Sequence, residues 1–145
     1  MSEESTKSEA VRFWWDKALE SLTAARRELA AGDHSFAINR AYYALFYAVS
    51  ALFLEEGRQF SKHSGVRAAF NKNIIKPGRL SQEHGNLYNQ LFRERQAGDY
   101  IAFTKFDVQY LREKITACEE FLAALRPLLK LLPSEVEERS RNGQD

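Results

Sequence analysis

The sequence predicts an all-α fold, an up-and-down bundle of four to five antiparallel helices, and three observations lead there. Apolar residues recur at helical spacing over long stretches. Short breaks carrying Gly32, Gly57, Pro77-Gly78 and Gly98 separate those stretches, and short connections make successive helices antiparallel neighbours. Sustained period-two alternation is missing, and no Asn-Gly hairpin joins β-branched runs.

The first helix is expected from about Glu9 to Ala31, after a flexible tail over residues 1–8. Val11, Trp14 or Trp15, Ala18, Leu22, Ala25 and Leu29 form its apolar stripe. Gly32 ends it, and Asp33 is placed to cap a second helix that runs to about Glu56 before Gly57. A third helix, Lys62 to Ile75, shows Val66, Ala69, Phe70, Asn73 and Ile74 on one side, and Lys76-Pro77-Gly78 breaks it. The fourth, Ser81 to Ala97, aligns His84, Leu87, Tyr88, Leu91 and Arg95 along one face. Thr104-Lys-Phe-Asp107 resembles a capping box opening a fifth helix that runs to about Leu132. The domain therefore spans 9–132, followed by a polar tail over 133–145 that reads as frayed.

The 145 residues make one domain, and 44% of them are hydrophobic, enough for a proper core. With 21 basic and 20 acidic residues, net charge selects no class of partner. A single cysteine, Cys118, excludes an internal disulfide framework and suits a reducing compartment. Met1 to Ser8 has no signal-peptide core, and the longest apolar run, Ala41 to Leu54, falls short of the roughly 20 residues that span a bilayer. The expectation is a soluble, cytoplasmic protein with no membrane partner. Three histidines and one cysteine approach no metal-ligand spacing, and no Gly-rich phosphate loop, nucleophile elbow or paired catalytic carboxylates appear, so no cofactor is expected.

Arg40 stands out because the helix around it is apolar almost all the way round. Such a helix belongs at the centre of a bundle or at a subunit interface. A buried arginine needs a carboxylate or phosphate. Asp99 is the expected partner, ahead of Asp16, Asp33 and Glu94, in a pairing read as structural. Tyr42, Tyr43, Tyr47 and Tyr88 are read as core or dimer-interface residues rather than base-stacking ones. His63 is expected to begin the third helix and hydrogen-bond the preceding loop.

Four landmarks stand in order: Leu22-Thr-Ala-Ala-Arg26, Asn39-Arg-Ala-Tyr-Tyr-Ala-Leu-Phe46, Ser61-Lys-His-Ser-Gly-Val66 and Leu91-Phe-Arg-Glu-Arg-Gln-Ala-Gly-Asp-Tyr100. Together they resemble the HEPN (higher eukaryotes and prokaryotes nucleotide-binding) domain, in its small single-domain prokaryotic branch, over roughly Ala10 to Leu125. The resemblance implies a four- or five-helix bundle, usually a homodimer. It also implies frequent pairing with a minimal nucleotidyltransferase in toxin–antitoxin or related two-component systems. Active members of the wider family are metal-independent ribonucleases whose signature is an arginine followed four to six residues later by a histidine.

The chemistry explains those residue types. A histidine near pKa 6.5 can take the 2′-hydroxyl proton while the arginine holds the phosphate. Here the matching stretch is Arg95 to Tyr100, with a phenol in the histidine position. A phenol near pKa 10 carries roughly a few thousandfold less of its deprotonated form. Two other arginine–histidine spacings, Arg58 to His63 and Arg79 to His84, lie outside the family's position. His84 and Arg95 share a face but are roughly 16 Å apart along the helix axis.

From Gly57 to Arg79 there is no acidic residue, while Arg58, Lys62, Arg67, Lys72, Lys76 and Arg79 are basic. That stretch either guides a phosphate toward Arg93 and Arg95 or is a solvated face offset by Glu55, Glu56, Glu83 and Glu94. The expected protein is a non-catalytic or weakly catalytic HEPN-like domain, dimeric, acting with a nucleotidyltransferase or a nucleic acid. Arg95 and Tyr100 are its candidate catalytic pair, and Arg93, Arg95, Lys62 and Arg67 its candidate RNA or nucleotide contacts. Two rivals stay open. One is a working ribonuclease toxin using Arg95 with Tyr100, or with His84 supplied across the dimer; the other is a nucleotide-binding module.

Overall fold

The computed structural model describes residues 2–97 and 107–133, with no side-chain description for residues 96 and 97. Gly98, Asp99, Tyr100, Thr104 and the tail 134–145 therefore lie outside the described residues. Among those described, the chain is all α: α1 (Glu3–Ala30), α2 (His34–Glu55), α3 (His63–Phe70), α4 (Gln82–Ala97) and α5 (Val108–Leu125). A π turn, Asn71–Ile75, continues α3, and a 3-10 turn, Arg126–Leu128, follows α5. The order and antiparallel run match the bundle expected from the periodicity.

The boundaries differ from expectation in three places. Helix α1 starts at Glu3 because Ser2 caps it, its side chain accepting from the Ser5 amide at 3.0 Å, with Glu3 and Glu4 favourably placed in the first turn. Helix α5 opens at Val108, and Thr104 of the expected capping box lies outside the described residues. Asp107 is itself the extended N-cap and accepts from the Gln109 amide at 3.4 Å. That helix stops at Leu125 rather than Leu132, since Pro127 has no N–H to continue it.

Gly32 ends α1 at φ +83°, with the Asp33 amide reaching back to the Glu28 carbonyl at 2.9 Å. An alanine there has open space for its methyl but must adopt a left-handed backbone. Gly32→Ala is expected to cost about 1–2 kcal/mol, read from urea denaturation. An unshifted midpoint would contradict it.

Helix α2 packs against α1, α3, α4 and α5, which is why its sequence is apolar on nearly every side. It is long and apolar enough to cross a membrane by composition, yet most of that stretch is buried inside the bundle. On α1 the buried stripe is Val11, Trp15, Ala18, Leu22 and Ala25, so Trp15 rather than Trp14 enters the core. Val66, Ala69, Phe70 and Ile74 from the third segment, and Leu87, Tyr88 and Leu91 from α4, are buried as their spacing predicts. The far end is tied across the chain. Glu55 accepts the Lys130 and Leu131 amides at 2.9 and 2.7 Å, and Ser8 Oγ donates to the Leu131 carbonyl at 2.9 Å.

Candidate functional site

Three elements bring the chemistry to one place. Tyr42 and Tyr43 are consecutive on α2 and so project about 100° apart. Tyr42 is fully buried, while Tyr43 stays half-buried at the rim. Arg95 arrives from the last turn of α4, a helix end that favours a cation. Its guanidinium carbon lies 5.4 Å from the centroids of both rings, and one terminal nitrogen donates to the Tyr43 hydroxyl at 3.0 Å.

The third contribution is His63, the first residue of α3. The connection from α2 does not turn sharply; it returns along the helix. The Arg58 amide closes on the Phe53 carbonyl at 2.8 Å, Phe60 packs on Phe53 at 5.3 Å, and the Arg58 guanidinium stacks on both rings and bonds Asn73 at 2.7 Å. His63 is thereby laid beside the middle of α2. Its Nδ1 is 2.9 Å from the Tyr42 hydroxyl, its ring stacks on Phe46 at 4.1 Å and 8°, and it meets Tyr43 edge-on at 5.7 Å. The expected bond to the preceding loop is replaced by this one to Tyr42.

The electrostatics follow from burial and one charge. Partial burial, and then the Arg95 charge, hold the His63 imidazole below its usual pKa, so it is neutral at pH 7. Burial pushes the Tyr42 phenol up to about 12, against the opposing pull of Tyr88 and Arg95. Tyr88 is raised well above the ordinary phenol value, first by burial and then by Tyr42. All three groups are uncharged around neutrality. Arg95 is the cation beside them, and among the described residues no carboxylate pairs with it.

Other residues singled out in the sequence fall in different places. Arg93 and Lys62 are exposed. Arg67 is half-buried: its Nε donates to Asn89 at 3.0 Å and its guanidinium stacks on Phe92 at 4.7 Å, while Asn71 and Asn89 exchange side-chain hydrogen bonds. Arg40 is exposed in the single chain, which removes the bundle centre as its place and leaves the expected subunit interface. It lies at helical spacing with the exposed Phe36 and the half-buried Tyr43 and Tyr47. Asp99, its expected partner, lies outside the described residues. His84 sits at the opposite end of α4 from Arg95, edge-on to Phe121 at 5.6 Å. Cys118 is buried against the Ala41 carbonyl and its thiol is pushed up to about 12, which makes it a packing residue.

The basic stretch keeps most of its charge. Arg79 pairs with Glu56 at 2.5 Å. Glu55 accepts backbone amides instead, and Glu94 accepts from Tyr110 and Gln90. Among the described residues, Arg58, Lys62, Arg67, Lys72 and Lys76 have no ion-pair partner.

His63 is the residue whose place the sequence hid. Motif spacing cannot relate a helix-three histidine to a helix-four arginine. The available signal was the length of the α2–α3 connection, which lets the chain return along α2 to the tyrosine pair.

The comparisons fit this arrangement. The HEPN domain pattern matches residues 11–128, which include α2, His63 and Arg95. A UPF0332 protein of Thermotoga maritima is 41% identical over 124 residues, covering 86% of this chain and 94% of the relative. A Methanocaldococcus jannaschii protein named "Putative toxin MJ0142" is 36% identical over 102 residues, 68% of this chain and 69% of its own. A UPF0332 protein of Pyrococcus horikoshii is 31% identical over 113 residues, 78% of this chain and 69% of its own. With the helical order, the tyrosine pair and the terminal arginine of α4 in place, this chain belongs to the HEPN domain family.

Proposed function

We propose that this protein is the toxin-type component of a cytoplasmic two-component system, binding RNA through its phosphates at Arg95 and working as a homodimer with a nucleotidyltransferase-type partner. One observation carries the reading. Arg95 is a half-buried guanidinium held by two phenol rings and one hydroxyl, with no carboxylate among the described residues to neutralise it. Cation–π contact fixes such a group at about 0.5–2 kcal/mol while leaving most of its N–H donors for a phosphate. Of the basic stretch, Lys62 beside His63 and Arg67 on Phe92 lie nearest Arg95 and add attraction for a phosphate. The toxin-type role is supported by the name of the Methanocaldococcus relative. Homodimerisation is supported by the exposed rings of Phe13 on α1 and Phe36 on α2, which flank an aromatic band running through Trp14, Tyr47 and Tyr43.

Fluorescence anisotropy with a labelled single-stranded oligoribonucleotide tests the phosphate reading. Arg95→Ala should weaken binding by about ten- to a hundredfold, the range for a hydrogen-bonded charge. It should also lower the slope of log K against log salt by about one. Equal affinity and equal slope in the two proteins would refute the assignment.

A further inference from the structure

We propose that His63 is the proton-transfer residue of this site, supplied from the start of α3 beside Arg95, and that it acts on the ribose 2′-hydroxyl of a bound RNA strand. The inference rests on the reading of Arg95 as phosphate anchor and adds chemistry to it. Position 100, where the resemblance implies a histidine, holds a tyrosine. The fold instead brings an imidazole to the arginine from another helix, and both groups touch the Tyr42–Tyr43 pair.

Three features suit His63 to this role. Its ring is immobilised on two sides, by the parallel face of Phe46 at 4.1 Å and by the Nδ1 contact to Tyr42 at 2.9 Å. Its Nε2 makes no hydrogen bond among the described residues, and the side chain is only half-buried. The groups around it are Tyr42 and Tyr43 from α2, Arg95 and the more distant Tyr88 from α4, and its neighbour Lys62. No carboxylate contacts it among the described residues, so nothing nearby holds it protonated.

The Tyr42 hydroxyl can donate or accept, and behind it the buried Tyr88 hydroxyl finds no well-formed hydrogen bond of its own. With Nδ1–H donating to Tyr42, Nε2 carries the free lone pair that a base requires. Tyr42 is then a positioning residue, since it acts through the imidazole.

The step balances without a cofactor or oxidant. His63 Nε2 takes the 2′-hydroxyl proton as O2′ bonds to the adjacent phosphorus. The P–O5′ bond breaks, water protonates the leaving 5′-oxygen, and the imidazolium returns its proton to the hydroxide so formed. The products are a 2′,3′-cyclic phosphate and a 5′-hydroxyl. Arg95 neutralises the non-bridging oxygens throughout.

The full chain is assayed in EDTA on a mixed-sequence oligoribonucleotide carrying a fluorophore and quencher, beside its all-2′-deoxy counterpart. Wild type should cleave only the ribose form. Its kcat/KM, which reports the free protein, should rise with pH and level off above an inflection below the ordinary histidine value, because an unprotonated imidazole is the active form. His63→Gln should lower the rate by about 10²–10⁴ with anisotropy binding unchanged within about twofold, and free imidazole should restore part of the activity to His63→Ala. Tyr42→Phe should slow cleavage less than His63→Gln does.

Absence of ribose-dependent cleavage by wild type, or cleavage by His63→Gln at the wild-type rate, would overturn the proposal. So would a wild-type kcat/KM flat between pH 5 and 8, a readout that needs no variant to fold. In each case the Arg95 reading survives if Arg95→Ala still loses binding. If wild type neither binds nor cleaves, both fail together.

Discussion

Phe70→Ala is expected to destabilise the domain by about 3–5 kcal/mol, lowering the thermal midpoint by roughly 10 °C or more. Phe70 is fully buried where α3 passes into the π turn. It stacks on Tyr88 at 4.6 Å and meets Phe121 of α5 at 5.8 Å, so its ring joins three helices. Removing it leaves a cavity that rigid aromatic neighbours cannot readily collapse into. The loss also undermines the site, because Tyr88 backs the Tyr42 ring at 6.0 Å. Chemical denaturation measures the effect, and a loss below about 1 kcal/mol would mean that these rings are not close-packed.

A Phe13→Asp, Phe36→Asp double variant is expected to weaken the proposed homodimer by about a hundredfold or more while leaving the fold intact. Phe13 and Phe36 are 55% and 61% exposed, an unusual state for large aromatic rings. They belong to one band. Phe13 packs on Trp14 at 5.7 Å, Trp14 on Tyr47 at 5.4 Å, and Lys17 lies over both Phe13 and Tyr47. Tyr47, Tyr43, Arg40 and Phe36 then follow along α2 for roughly 16 Å. In a two-fold interface every substitution appears twice, so two aspartates bring four charges into an apolar contact. Light scattering after gel filtration should give twice the 16.7 kDa chain mass for wild type and the single mass for the variant. A wild type that stays at the single mass at every concentration would remove the dimer from the proposed function.

The helices were legible because their evidence is local. Gly32 and Gly57 stop helices by backbone conformation, and the stripes on α1, α3 and α4 record burial at a period of 3.6. The boundary differences are local as well: Ser2 caps α1, Asp107 caps α5 and Pro127 breaks it, each residue sitting at the helix end it sets. Arg40 was legible only as belonging to the bundle centre or to a subunit interface, for a different reason. An apolar surrounding sequence reports how much greasy surface a helix carries, and cannot say which side of it the other helices leave bare.

By itself the sequence determined the all-α class, the order of the helices, α2 as the central element and Arg95 as the charge at the end of α4. Each of these depends on periodicity, or on residues close together in the chain. Only the tertiary structure decided that His63 shares a site with Arg95, and that Arg40 and Phe36 lie outside. The connection after α2 runs back along that helix, and the meeting of α3 with α4 over the tyrosine pair is a product of packing between segments far apart in sequence. No spacing rule encodes that meeting, because the distance across a bundle is set by side-chain volumes and loop paths rather than by residue count.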